Sequence, residues 1–216
     1  LTEPRFLVTT RTAYDTVAVD YEALLRDDLA GNTMDRAMLG AFAELTAGSG
    51  PVADIGCGPG RITTHLAGLG LDVFGIDLSP AMVAVARARY PELRFEVGSM
   101  TDLDLPDGGL GGVVAWYSVI HIPPDLRPEV FVGFHRVLAP GGHLLMAFQA
   151  GDERRDHTEA YGHEITLTGY RLPPDGIASL LVETGFEVRA TLIRAPEPLR
   201  EKAPQAYLLA RKPVDA

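Results

Sequence analysis

Cysteine is almost missing from this chain. Cys57 is the one cysteine in 216 residues, which excludes an internal disulfide framework and a cluster bound by three thiolates. Basic charge is also in short supply, with 19 Lys and Arg against 29 Asp and Glu and a net charge of −10. That balance speaks against a nucleic-acid partner, which calls for a basic stripe. The acidic surface reads as a solubility device, although it would also attract a cationic ligand. Long apolar runs are absent. The longest uncharged stretch, Gly108 to Pro124, is interrupted by glycine and proline and cannot serve as a membrane span. No basic-then-apolar segment opens the sequence, so the expected location is cytoplasmic, without membrane contact. His135, His143, His157 and His163 lack the tight pairing of a zinc site, and no metal is expected. What is present, 46% hydrophobic and 22% charged residues, suits one globular domain with a large core.

The chain is organised around Val52 to Gly60. Val52 to Ile55 is a short apolar run of the kind a buried parallel strand uses. Glycines follow at 56, 58 and 60, where positive φ and close backbone approach are both permitted. Ile62, Leu66 and Leu69 then keep helical spacing. Strand, turn and helix in that order aim a helix N-terminus at a ligand. A dinucleotide fingerprint would place its third glycine one position later, where Arg61 stands, and Asp54 would repel a pyrophosphate. Asp54 suits an ammonium group instead. Asp77 ends the next apolar run, Val73 to Ile76, near the ~20-residue separation at which such folds carry a ribose-binding acid. A cationic nucleoside without phosphates answers these features, and S-adenosylmethionine is one.

Three segments, Asp54-Ile-Gly-Cys-Gly-Pro-Gly60, Gly75-Ile-Asp77-Leu-Ser-Pro80 and Arg136-Val-Leu-Ala-Pro-Gly-Gly142, resemble in order and spacing the motifs of class I S-adenosylmethionine-dependent methyltransferases. The resemblance covers about residues 50 to 150. It implies a Rossmann-like, doubly wound α/β fold: a seven-stranded, mostly parallel sheet with a C-terminal antiparallel hairpin and an N-terminal helical cap. It also implies methyl transfer from S-adenosylmethionine to an O, N or C atom of a small molecule, leaving S-adenosylhomocysteine. The implied cofactor site draws on Asp54, Gly56, Gly58, Gly60, Arg61, Asp77, Leu78, Met82, Ser99, Met100 and Trp116. Radical chemistry on the same cofactor needs three cysteines and is excluded. Ser99 departs from the pattern, since relatives commonly carry an acid there for the adenine amino group; backbone groups or Asp102 are left to make that contact. The Asn/Asp-Pro-Pro-aromatic motif of enzymes methylating amino groups of bases or of glutamine is absent from Ala115 to Pro124. No metal-binding acid lies between Trp116 and Pro124. Two other classes compete: a silent cofactor-binding or regulatory module of the same fold, and a nicotinamide oxidoreductase, disfavoured by Arg61 and Asp54. Oligomeric state, monomer or dimer, is left open.

In chain order, residues 1 to 10 show no clear pattern and are expected to be loosely held. Tyr14, Val17, Tyr21, Leu24, Leu25 and Leu29 share a helical face, and a second helix follows near Met34 to Leu45. These helices (residues 1–48) form the expected cap. Residues 50–149 form the cofactor core, with strands at 52–55, 72–76, 93–97, 113–117 and 143–149 and helices at 61–69, 80–89 and 126–138. Such alternation predicts a parallel sheet covered on both faces. Asp125 is the expected cap of the helix near 126. Residues 150–172 break the pattern. There His163 to Thr168 alternates like a strand, and the segment is expected over the strands' carboxyl ends as a substrate wall. A helix near 174–184 and a hairpin complete the chain (residues 173–216).

His121, after the fourth strand, is the candidate general base, since an ordinary imidazole pKa near ~6.5 suits proton acceptance at neutral pH; the competing reading is a structural histidine. Tyr14, Tyr21, Tyr117 and Tyr170, with His121, are candidates for orienting the acceptor. Each has a plain packing alternative, as does Met82. Cys57 reads as a small packed side chain rather than a nucleophile.

Overall fold

The structure is a computed structural model and describes residues 3–198 and 200–214. Its elements run α1 (Arg5–Leu25), α2 (Asp28–Gly31), α3 (Thr33–Thr46), β1 (Val52–Ile55), α4 (Arg61–Gly68), β2 (Val73–Asp77), α5 (Pro80–Arg89), β3 (Arg94–Val97) and β4 (Leu110–Trp116). After two short turns of 3-10 helix come α6 (Arg127–Val137), β5 (Leu138–Gln149), β6 (Arg154–Ala160), β7 (His163–Tyr170), α7 (Pro174–Glu183), β8 (Glu187–Arg194) and β9 (Gln205–Arg211). The main sheet has seven strands in the order β3-β2-β1-β4-β5-β9-β8. β1 to β5 are parallel, and β9 enters antiparallel to both β5 and β8. Both the doubly wound fold and the closing hairpin expected from the sequence are therefore present.

β1 and β4 are buried at every position, as near-continuous apolar strands must be when helices cover both faces. One core layer packs Phe131, Phe134, Val137, Ile177 and Leu181 from α6 and α7 against the sheet. Another packs Leu39, Phe42, Ile62 and Leu66 on the opposite face. Chain order reverses at β1, which lies between β2 and β4. That switch point opens a crevice beyond the strands' carboxyl ends.

Three local expectations are corrected. Residues 5–10 are not loose, because α1 begins at Arg5. Phe6, Leu7 and Thr10 continue the face of Tyr14 and Val17 inward, but a threonine and an alanine in the stripe hide its period; residues 1 and 2 lie outside the described residues. Residues 154–160 form a full partner strand for β7, concealed by the charges of Arg154, Arg155 and Asp156. Asp125 does not cap α6, whose N-cap is Leu126 with no side-chain bond; it sits instead in a 3-10 turn, Pro124–Leu126, that precedes the helix.

Candidate functional site

Four strand ends converge on one cavity. Ile55, Gly56 and Gly58 after β1, Asp77 and Leu78 at β2, Gly98 to Met100 after β3, and Trp116 to Ser118 after β4 form its walls. α1 roofs it with Phe6, Leu7, Thr10, Tyr14 and Tyr21. About 710 Å³ of non-atom space, part of it open to solvent, lies between them.

The glycine turn divides its labour. Gly56 (φ 79°) tucks under Ser118, whose Cβ would lie 2.2 Å from any Cβ added there. Ser118 is held in turn by its Oγ donating to the Ile55 carbonyl at 2.7 Å. Gly60 (φ 86°) starts α4, and its missing Cβ makes room for the Phe95 ring, 2.7 Å from the added atom. Gly60 thus serves packing and does not line the cavity. Cys57 is buried behind the turn, where burial pushes its thiol up.

Asp77 is fixed by two backbone donors: Gly58 N–H to Oδ2 at 2.7 Å and Ser79 N–H to Oδ1 at 2.8 Å. Burial nevertheless raises its pKa to about 6, the two hydrogen bonds opposing the shift. Asp54 stands behind the wall rather than in it. Alternation along β1 points its side chain to the α4 face, where Thr63 Oγ1 donates to Oδ2 at 2.7 Å. Its Oδ1 is buried without a partner among the described residues, and burial raises its pKa to about 7. Arg61 turns away to Asp28 at 3.4 Å and borders a different hollow.

Met82 is fully buried at the cavity, its N–H donating to Ser79 Oγ. Ser99 and Met100 line the wall, and the Ser99 hydroxyl lies 2.8 Å from that of Thr101; Asp102 is exposed and outside the lining. Trp116 contributes an indole N–H that is buried without a partner among the described residues. Tyr117 adopts φ 54°, a strained backbone state for a non-glycine residue, and its hydroxyl donates to Gln205 at 2.7 Å.

His121 joins three elements. Its Nδ1 lies 2.9 Å from the Thr168 carbonyl in β7. A carbonyl only accepts, so Nδ1 carries the proton, and Nε2 accepts from the Tyr14 hydroxyl of α1 at 2.7 Å. Burial lowers the imidazole pKa to about 4, well below the ordinary value expected from the sequence. Tyr21 meets the Tyr14 ring edge-on and touches Tyr161 at the hairpin tip. Tyr170 is not on this cavity; it faces the space beneath the hairpin, its ring under Arg127 at 5.0 Å.

Asp15 escaped the sequence reading. From α1 it accepts from Ser79 Oγ at 2.5 Å and Ala81 N–H at 3.1 Å, tying the roof to the start of α5. No local signal distinguishes it from its exposed neighbours on the helix.

Residues 52–142 match the model of a family described as a methyltransferase domain. An uncharacterized methyltransferase of Mycobacterium tuberculosis is 35% identical over 128 residues, covering 58% of this chain and 50% of the relative. Demethylmenaquinone methyltransferase of Beutenbergia cavernae is 34% identical over 140 residues, covering 62% of this chain and 55% of the relative. The chain thus spans about half the length of the curated relatives it matches. Magnesium protoporphyrin IX methyltransferase of Synechocystis, solved with bound S-adenosylmethionine, shares the fold with a TM-score of 0.73 at 17% identity, over 98% of this chain and 99% of that one.

Proposed function

We propose that this chain is a class I S-adenosylmethionine-dependent methyltransferase, that it holds the cofactor at the carboxyl edge of β1, β2 and β4, and that it methylates an O, N or C atom of a small molecule. The observation that carries the reading is the cavity bounded by the bare backbone of Gly58 and by Asp77. An added Cβ at Gly58 would meet nothing nearer than a Tyr21 ring atom at 4.0 Å, so the turn leaves open space where a ligand approaches. Asp77 has lone pairs beyond its two backbone bonds for ribose hydroxyls. Leu78, Met82, Ser99 and Met100 offer an apolar slot for the adenine, with backbone groups near Ser99 taking its amino group. The partnerless Asp54 oxygen lies close behind the turn, and a bound cation would favour its charged form, lowering a pKa that burial holds at about 7. A pyrophosphate would meet the buried Asp77 carboxylate at the turn, with Asp54 close behind it, which disfavours a nicotinamide carrier.

When bound, the cofactor supplies an electrophilic methyl group on a sulfonium. The protein's own task is to fix distance and angle and to exclude water, a contribution of about 7–11 kcal/mol in well-oriented reactions. Tyr14 and His121 are the polar groups at the junction with the space under the hairpin. His121 Nε2, already receiving the Tyr14 hydroxyl, can take the proton of an acceptor hydroxyl through that tyrosine. With a pKa near 4 it is a weak base, so it accepts the proton only as the acceptor's bond to the methyl group forms and gives it back to water through Tyr14 once product leaves.

Calorimetry with S-adenosylmethionine, S-adenosylhomocysteine and nicotinamide dinucleotides, with a product assay on candidate acceptors, tests the reading. Binding of the first two alone, with turnover, is expected. Dinucleotide binding in their place would sink the proposal, and cofactor binding without turnover on any acceptor would make the chain a silent module. His121→Ala should lower turnover more than cofactor affinity.

A further inference from the structure

We infer that the methyl acceptor is a small organic acid whose anionic group, carboxylate or phosphate, is anchored by Arg155 in the chamber beneath the β6–β7 hairpin. The inference rests on the methyltransferase reading and deepens it by naming the acceptor's chemistry.

Tyr14 and His121 border both the cofactor cavity and a second hollow roofed by the hairpin. That hollow continues toward Tyr117 and Lys202, and both parts are lined by Gln149, Arg155 and His157. An acceptor lying there would have one end at the Tyr14–His121 junction and the other among these three side chains.

The hairpin builds this end by alternation. Arg154, Asp156 and Thr158 are exposed and border a separate hollow against the start of α1, whereas Arg155 and His157 are half-buried and line the chamber. On the exposed side, Arg154 pairs with Asp156 at 3.0 Å. Gly169 lies opposite Arg155 in the ladder. A Cβ there would stand 3.9 Å from both the His121 and the His157 rings, so glycine keeps the passage between them open.

Charge then selects the ligand. The chamber toward Lys202 is lined by Arg61, Arg155, Arg171, Arg200 and Lys202 but by only three carboxylates, Asp28, Asp35 and Glu201, inside a molecule of net charge −10. Those three are engaged: Asp28 by Arg61 and Arg200, Asp35 by the Tyr207 hydroxyl, and Glu201 by Arg194. Arg171 has Glu153 at 3.1 Å. Among the described residues, the Arg155 guanidinium has no carboxylate within ion-pair distance and no hydrogen bond. A guanidinium held half out of water without a counterion gains from an incoming anion, and its planar fork fits a carboxylate or phosphate with two parallel bonds.

Benzoate, phenyl phosphate and the neutral benzamide are the probes, titrated into the protein alone and loaded with S-adenosylhomocysteine. Fluorescence of Trp116, the chain's one tryptophan, which borders both spaces, gives the readout. At least one acid should bind ~10-fold or more tighter than benzamide, and Arg155→Gln should erase that preference. Arg155→Lys should restore part of it, since charge returns without the fork. S-adenosylhomocysteine affinity should stay within about twofold in both variants, which also certifies their folding. Preference for benzoate assigns a carboxylic acid, and preference for phenyl phosphate assigns a phosphate ester. Benzamide binding as well as the acids, or acid affinity unmoved by Arg155→Gln, would overturn the inference. Failure of the wild-type protein to bind S-adenosylhomocysteine would instead strike the cofactor reading, while the acid titration of the protein alone would still report on Arg155.

Discussion

Asp54 shows how a single atom carries cost and purpose together. Its folded pKa of about 7 lies above the ordinary 3.8. The folded protein therefore binds more protons than the unfolded chain between those values, and the stability owed to this group falls as pH rises from about 4 to 7. At ~1.4 kcal/mol per unit the penalty at pH 8 is on the order of 4 kcal/mol. Asp54→Asn should accordingly melt above the wild type at pH 8, the gap closing by pH 5, while affinity for S-adenosylmethionine drops; thermal melts at both pH values with calorimetry check this. Cofactor affinity should also weaken as pH falls through 7 to 6, where Asp54 and Asp77 become protonated. His121 is already neutral above about 4, so calorimetry from pH 5 to 8 should find the same acid limb in His121→Asn. The types and order of these residues were legible in the sequence. The direction Asp54 points, the proton on His121 Nδ1 and the reach of Asp15 were not, because each depends on a partner 9, 47 or 64 positions away.

Elements were legible where local chemistry and tertiary need agree. β1, β2 and β4 are apolar runs bounded by turn residues, and all three are buried strands. β6 was not legible, since its inward residues are Arg155 and His157 and only pairing with β7 makes it a strand. The glycine turn gives a sharp contrast within one element type. Ala at Gly56 or Gly60 combines positive φ with a buried clash, which should cost about 2–4 kcal/mol. The Gly56 variant should also lose cofactor binding, because its new methyl group displaces Ser118 from the cavity wall. Gly40 lies inside α3 with nothing within 4 Å of an added Cβ, and Gly40→Ala should raise stability by about 0.5–1 kcal/mol. Denaturant midpoints for the three variants measure the difference.

At the scale of the molecule, the cap and the sheet enclose the cavity jointly. α1 is fastened by side-chain bonds at three levels: Tyr14 to His121, Asp15 to Ser79, and Asp20 to His163 of the hairpin at 2.7 Å. The cap and the hairpin therefore hold each other as well as the core, and Tyr21 against Tyr161 closes the far end. Movement of this roof of Phe6, Leu7 and Tyr14 is the expected route by which a ligand beneath it enters or leaves. The expected behaviour is a roof that opens separately and at lower energy, with the core strands exchanging amide hydrogens through global unfolding. S-adenosylhomocysteine at about 100 times its Kd adds ~2.7 kcal/mol to any opening that must release it. Amides of Arg5–Leu25 and of the 154–170 hairpin should then exchange up to ~100-fold more slowly with ligand, measured by mass spectrometry. Amides of β4 and β5 should slow only under conditions where the whole molecule unfolds. Equal slowing everywhere would mean that cap and sheet form one cooperative unit and that the ligand enters by another route; no slowing of α1 would mean that it does not cover the ligand.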